Sequence, residues 1–504
     1  VGEAAHQQRD EGWHGRNPQM SLMTARKTAG LVVAILAASV QISGAQAPSG
    51  PQVNVPPAAS APSAALHDRD PYDFSAADSA ADVVHLARTA DGVRFTWPRT
   101  ATQWDTALLA VRSWGAESDP WVEVSVGEFH IQQYLDPNAV GVRWLNLTGL
   151  RGQLAAGSEV LIRTHAVTLE AETATLRLFD NRLDLQQRIL VIAPHPDDAE
   201  IAAFGLYADR QASVVTVTAG SAGDMNYRAS LSDPTEHYAL KGYLRAVDSV
   251  TVPWQGNIPP ERTANLGYFD GQLDSMYLVP RQTFPEVYSA NTDVALYRRA
   301  NLSKLVSGAA RSNSWEHLVE DLVEVLRKVN PGIVVLPDPR LDTHLDHEFA
   351  SVALEQALEQ WQGTPIFLLY TNHTDNNHYP YGPAGTVVSL PLSERQVSMQ
   401  RIYSHPTAHA LQVRKLFALE SMHDLRLSPD EQATCSAATT AHRPDYPRVP
   451  EVDYFRRAPR ANELFYVFDR AGLRAVIQQF LANYTAAEGS GSAQQSLLPG
   501  LRQR

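Results

Sequence analysis

Two short clusters in this chain bring together residue types that hold metal ions and move protons. The first is Pro194-His195-Pro196-Asp197-Asp198-Ala199-Glu200 and the second is His344-Leu345-Asp346-His347. His195 and Asp198 stand three apart at a strand-to-helix turn, so both reach one ion while Asp197 points elsewhere. With His347 they form a set of two imidazoles and one carboxylate, which leaves the fourth position of a tetrahedral zinc open to water. The ion brings the pKa of water towards about 7, and the carboxylate of Asp197 beside it serves as general base. Attack on an amide passes through an oxyanion that needs a positioned donor. His344 is the candidate, with Asp346 orienting its ring or holding it protonated. Fe2+, Mn2+ or Co2+ are alternatives to Zn2+ for the same nitrogen and oxygen donors. Each cluster has a plainer reading by itself: Asp198 could cap a helix, and His-x-x-His occurs in solvated loops. Their joint placement on two strand ends favours the metal.

The run from Pro194 to Glu200, the later His344-x-x-His347 and the segment Leu266-Gly-Tyr-Phe-Asp-Gly271 together resemble the PIG-L/LmbE-like deacetylases, which include enzymes that deacetylate N-acetylglucosaminyl inositols. The resemblance extends from about 187 to 470, taking in Asn330-Pro331, Lys415 to Met422 and Glu463-Leu-Phe465. It implies zinc ligands at His195, Asp198 and His347, a base at Asp197 and an oxyanion or proton-donating partner at His344. It also implies substrate contacts from Arg245, in Arg245-Ala-Val-Asp248 where the family has Arg-x-x-Glu, and from Asp270, toward sugar hydroxyls. Plainer roles compete: a structural ion pair for Arg245, and for Asp270 a turn before Gly271. Pro194 stands where the family usually has Ala.

These residues need strand ends to hold them. Arg188-Ile-Leu-Val-Ile-Ala193 is a continuous apolar run, as in a parallel strand covered on both faces, and the helix-like Ile201 to Ala208 follows it. A second buried strand runs from Ser213 to Thr218. Trp315, Leu318, Val319, Leu322, Val325 and Leu326 recur at helical spacing; Asn330-Pro331-Gly332 ends that helix, and Ile333 to Leu336 forms a further strand. The alternation predicts a doubly wound, Rossmann-like, mostly parallel α/β domain over 186–470, whose ligand site lies beyond the carboxyl ends of the strands. The polar stretch Thr371 to His378, after the strand Ile366 to Tyr370, reads as a solvated loop at the cleft, with His373 or His378 as an extra ligand the lesser alternative.

Over 70–185 the pattern is different. Short alternating runs (Val93 to Trp97, Val122 to Val126, Glu159 to Val167, Thr175 to Leu178) are separated by Asp91-Gly92, Asp119-Pro120 and Asp136-Pro137-Asn138, which predicts an all-β sandwich. Trp97, Trp114, Trp121 and Trp144 offer stacking faces to a glycan, although tryptophan in a small sandwich is more often core.

The remaining features narrow the setting. From Met20 or Met23, Arg26 and Lys27 precede an apolar run, Ala29 to Val40, and Ala45-Gln-Ala47 supplies a cleavage site, so 20–47 reads as a bacterial signal peptide, 48–69 as a linker and 1–19 as an upstream extension foreign to the protein. The product is expected to be periplasmic or secreted, and a terminal helix and disordered tail are expected over 471–504. Cys435 is the single cysteine, which excludes an intramolecular disulfide and thiolate-rich zinc sites. A net charge of −13 in 504 residues disfavours nucleic acid, and the mature sequence contains no integral membrane segment. The function expected is removal of the N-acetyl group from an amino sugar or N-acetylated glycan through zinc-activated water. The alternatives are an amidase or deacylase on another N-acyl substrate, or a non-catalytic glycan-binding protein that keeps a remnant metal site.

Overall fold

The computed structural model describes residues 70–489 except 99–102, 116–119, 137–139, 171, 224, 375–378, 394, 424 and 426–453. The expected signal peptide, the extension before it, the linker, Cys435, His378 and the chain after 489 lie outside these residues.

The second half is organised by a seven-stranded sheet. Its strands are β1 (Ile189–Ala193), β2 (Ala212–Thr218), β3 (Thr263–Tyr268), β4 (Ile333–Pro337), β5 (Ile366–Tyr370), β6 (Ile402–Pro406) and β7 (Asn462–Phe468). They lie side by side in the order 3-2-1-4-5-7-6. The pairs among β1 to β5 are parallel, and β7 and β6 close one edge antiparallel. Every residue of β1, β2, β3 and β4 is buried, which explains why β1 and β4 read as unbroken apolar runs rather than alternating ones. Along β1, Leu190 and Ile192 join one core with Leu322, Phe349 and Leu354, while Ile189, Val191 and Ala193 join another with Phe204, Leu206 and Tyr207. Each Val, Leu, Ile or Phe among them contributes about 1.5–3 kcal/mol on full burial.

The helices on those faces are α1 (Asp198–Tyr207), α2 (Pro234–Thr251), α3 (Trp315–Val329), α4 (Leu345–Leu358), α5 (His409–Glu420) and α6 (Arg470–Gly489). Helix α3 stops where Asn330 turns left-handed, φ 45°, its N–H still reaching the Leu326 carbonyl at 2.8 Å. The order of strands puts β1 between β2 and β4, so the chain leaves β1 toward one face through α1 and leaves β4 toward the other through α4. A crevice opens at such a reversal, beyond the carboxyl ends of the two strands.

Residues 70–185 form two further five-stranded sheets whose named pairings are all antiparallel. One shared core lies between them, with Val84, Leu109 and Leu176 from one sheet and Phe95, Val122 and Ile162 from the other. The strand expected over Glu159 to Val167 is two: Ala166 at φ 54° breaks it, Glu159–His165 staying in one sheet and Val167–Leu169 joining the other. Trp97 and Trp144 are core, at 1% and 6% exposure. Trp121 is half-buried and stacks on His165, leaving Trp114, at 60% exposure, as the displayed ring of the four.

The two halves share polar and apolar contacts. Asn146 donates to the Val388 carbonyl and to Ser404 Oγ, both at 2.9 Å, and Asn181 donates to the Ile402 carbonyl at 2.8 Å. Tyr72, Phe74, Trp144 and Phe179 pack in the same apolar cluster as Leu190 and Phe349. The first short strand, Tyr72–Asp73, pairs with Val397–Ser398. No helix among the described residues is long and apolar enough to cross a membrane.

Candidate metal and catalytic site

The two clusters follow the carboxyl ends of β1 and β4. Pro194 closes β1, its carbonyl accepting the N–H and the hydroxyl of Thr218, both at 2.9 Å. His195 follows, and its backbone N–H donates to Asp198 Oδ2 at 2.8 Å, which ties the turn together. From the other strand, His344 caps α4: its Nδ1 accepts the Asp346 N–H at 3.2 Å. His347 then projects from the first turn of that helix.

Three atoms face one another at the centre. His195 Nδ1 lies 3.1 Å from His347 Nε2, His347 Nε2 lies 3.1 Å from Asp198 Oδ2, and His195 Nδ1 lies 3.4 Å from Asp198 Oδ2. A tetrahedral ion with bonds of 2.0–2.1 Å spaces its ligands about 3.3 Å apart. The far nitrogen of each imidazole meets a carboxylate: His195 Nε2 is 3.1 Å from Asp346 Oδ2, and His347 Nδ1 is 3.1 Å from Asp342 Oδ2. With the ring protons directed to those carboxylates, lone pairs of both rings and an oxygen of Asp198 converge on one point, an arrangement that a cation stabilises and that is repulsive without one. The residues therefore fit a nitrogen- and oxygen-ligated metal.

Charge reinforces this. Burial opposes protonation of His347, but Asp198 and Asp342 outweigh it and push the ring up to about 10. His195 is likewise pulled well up, against burial, by Asp270, Asp198 and Asp346. Asp346 is held down at about 2, burial again opposing and His195 prevailing. The field that draws protons onto these rings draws a metal ion equally. His344 behaves oppositely, lowered to about 4 by burial and by the charge of His195. Its Nδ1 accepts a backbone N–H, so the neutral ring carries its proton on Nε2 and is a donor.

Asp197 stands apart from the triangle. Its backbone adopts φ 122°, ψ −33°, and its side chain makes no capping bond at the start of α1. The carboxylate instead meets Arg245 Nη2 at 3.0 Å, and the same guanidinium donates to the carbonyls of Pro196 at 2.6 Å and Gly220 at 3.3 Å. Gly220 is left-handed, φ 68°, and a Cβ there would stand 2.8 Å from the Arg245 guanidinium, so glycine is what lets the arginine approach.

The predicted residues are thus gathered in one place, with different partners in two cases. Asp346 was expected to orient His344; its carboxylate instead faces His195 and accepts the N–H groups of Gly271 at 2.7 Å and Leu273 at 3.2 Å, and only its backbone serves His344. Arg245 binds Asp197. Asp270 accepts the N–H groups of Gly220 and Ala222, each at 3.1 Å, and lies 3.8 Å from His195 Nε2. Two residues were not foreseen. Asp342 backs His347 and accepts the backbone N–H of Asn372 at 3.0 Å, while the Asn372 amide donates to Asp198 Oδ1 at 2.7 Å. Asp342 lies five residues before His347, on the loop that leads from β4 into α4, and Asn372 is the second residue after β5. Position at a strand end is the signal that marks both.

The geometry describes a candidate metal site at the strand ends of an α/β domain, and the sequence comparison is more specific. Residues 190–358 match the PIG-L family, described as GlcNAc-PI de-N-acetylase, so the chain carries a PIG-L domain. No curated protein matches the chain in sequence. Among solved structures, an A40926 pseudoaglycone deacetylase is 18% identical over 56% of this chain and 98% of its own, with a TM-score of 0.30. A deacetylase of teicoplanin biosynthesis, solved with teicoplanin, is 14% identical over 56% of this chain and 98% of its own, with a TM-score of 0.31. The 4-carboxy-2-hydroxymuconate hydratase of Pseudomonas putida is 10% identical over 56% and 95%, with a TM-score of 0.26.

Proposed function

We propose that this chain is an exported zinc-dependent N-deacetylase acting on an amino sugar or N-acetylated glycan, with a Rossmann-like catalytic domain over 186–470 and a β-sandwich over 70–185. The observation that carries the reading is the triangle of His195 Nδ1, Asp198 Oδ2 and His347 Nε2, each ring backed by a carboxylate, beside a separate carboxylate on Asp197. A purely structural metal site has no use for that last group. When bound, zinc supplies a Lewis acid that acidifies water and draws charge from the amide oxygen.

The chain's own residues do the rest. Asp197 takes a proton from the attacking water as its oxygen bonds to the acyl carbon. His344, a donor through Nε2, stabilises the oxygen that gains charge. The carbon–nitrogen bond then breaks and the leaving amine takes a proton, delivered by Asp197 or His344, to give acetate and a free amino sugar. In this reading Arg245 holds the base in place rather than the substrate. Asp270, each oxygen bonded to one N–H, keeps acceptor capacity for a sugar hydroxyl.

Asp197→Asn tests the assignment. The variant should bind metal at the wild-type stoichiometry and release no acetate from N-acetylglucosamine oligomers. Loss of metal together with activity would place Asp197 among the ligands and remove the base from this scheme.

A further inference from the structure

A fourth imidazole stands beside the triangle. The ring of His373 lies 4.7 Å from that of His347, edge to face, and 5.4 Å from that of His344. One ligand atom each from Asp198, His347 and His373 fall within 4.8 Å of one another. Ligands on opposite sides of an ion with bonds near 2.1 Å are about 4.2 Å apart, so the three stand at a spacing close to that of ligands on a shared metal. The backbone of His373 is also keyed to the site: its N–H donates to Asp342 Oδ2 at 3.3 Å, the oxygen that backs His347, and its carbonyl accepts the Thr343 N–H at 3.2 Å. Its neighbour Asn372 holds Asp198. Among the described residues neither ring nitrogen of His373 has a hydrogen bond, whereas His344 spends Nδ1 on its helix cap.

We propose that His373 is a further metal ligand, joining His195, Asp198 and His347, so that with water the ion is five-coordinate. This rests on the metal-hydrolase reading above. Three imidazoles and a carboxylate with an open position suit ions that accept more than four ligands, such as Co2+ or Fe2+, as well as zinc in its expanded state.

The experiment uses the full chain, stripped of metal and reloaded with Co2+, as wild type, His373→Ala, His373→Gln and His344→Ala. Affinity is read by competition with a chelator, and coordination by visible d–d absorption, which is weak for five-coordinate and strong for tetrahedral Co2+. The expectation for both His373 variants is a loss of affinity of about 10- to 100-fold, the range seen when even an outer partner of a ligand is removed, together with a more intense spectrum. His344→Ala should leave the spectrum unchanged. Wild-type affinity and spectrum in the His373 variants, with one Co2+ bound per chain, would overturn the proposal and make His373 a residue that only lines the cleft. A wild-type chain that binds no Co2+ would overturn the metal reading itself.

Discussion

Replacing Asp197 separates what its backbone costs from what its carboxylate does. At φ 122°, ψ −33° a side chain is strained, and such conformations cost about 1–3 kcal/mol where a site imposes them. Asp197→Ala and Asp197→Gly both delete the carboxylate and leave Arg245 with the carbonyls of Pro196 and Gly220, so that loss cancels between them. What differs is the Cβ. Glycine relieves the strain but returns about 0.4–1 kcal/mol of entropy to the unfolded chain. The net expectation is a glycine variant more stable than the alanine variant by about 0.5–2 kcal/mol, the reverse of the order at an ordinary position. Urea unfolding of the two metal-free proteins, compared at equal m-values, measures the difference. Neither should release acetate. An alanine variant as stable as glycine, or more so, would show that the turn is unstrained and that the geometry of the base is not imposed by the fold.

Other outcomes follow from the same contacts. Asp342→Asn should weaken metal binding by about 10- to 100-fold, measured by chelator competition, because His347 loses the carboxylate on its far nitrogen. Gly220→Ala should lower kcat with metal content unchanged, since the added Cβ displaces Arg245 from Asp197. In the metal-free protein His347 titrates near 10 rather than near 6.5, so its contribution to stability is complete below about pH 6.5 and lost as pH rises toward 10. The melting temperature of chelator-treated protein should fall across that window more steeply than that of the metal-loaded form; equal slopes would contradict it. Asn146→Ala leaves the Val388 carbonyl and Ser404 Oγ to Asn462 but takes the acceptor from the buried Thr148 N–H, and should cost about 1–3 kcal/mol by thermal unfolding.

The sequence was informative where one physical cause dominates. Burial on both faces makes β1 and β4 continuous apolar runs, and the reversal of strand order between them brings the turn of His195 to the first turn of α4, which carries His347; spacing alone suffices to bring His195 and Asp198 to one point. Contacts that depend on three-dimensional approach left no such trace. The rotation of α4 decides that Asp346 faces His195 rather than His344. Arg245 reaches Asp197 from α2, 48 residues away, through a gap that only Gly220 leaves open. Asn372 contacts Asp198 because β5 lies beside β4, a neighbour relation that emerges only with the sheet. In the first half, Ala166 carries no turn signature, so the sheet switch at φ 54° was invisible in the run from Glu159 to Val167.

A metal held by the triangle should drive amide hydrolysis. The decisive measurement is acetate release from N-acetylglucosamine oligomers by the purified chain, with bound metal quantified, before and after chelation and after readdition of Zn2+. The expected result is one ion per chain, acetate release abolished by the chelator and restored by the metal. Acetate release that persists in fully stripped protein, or a chain that binds no ion, would contradict it.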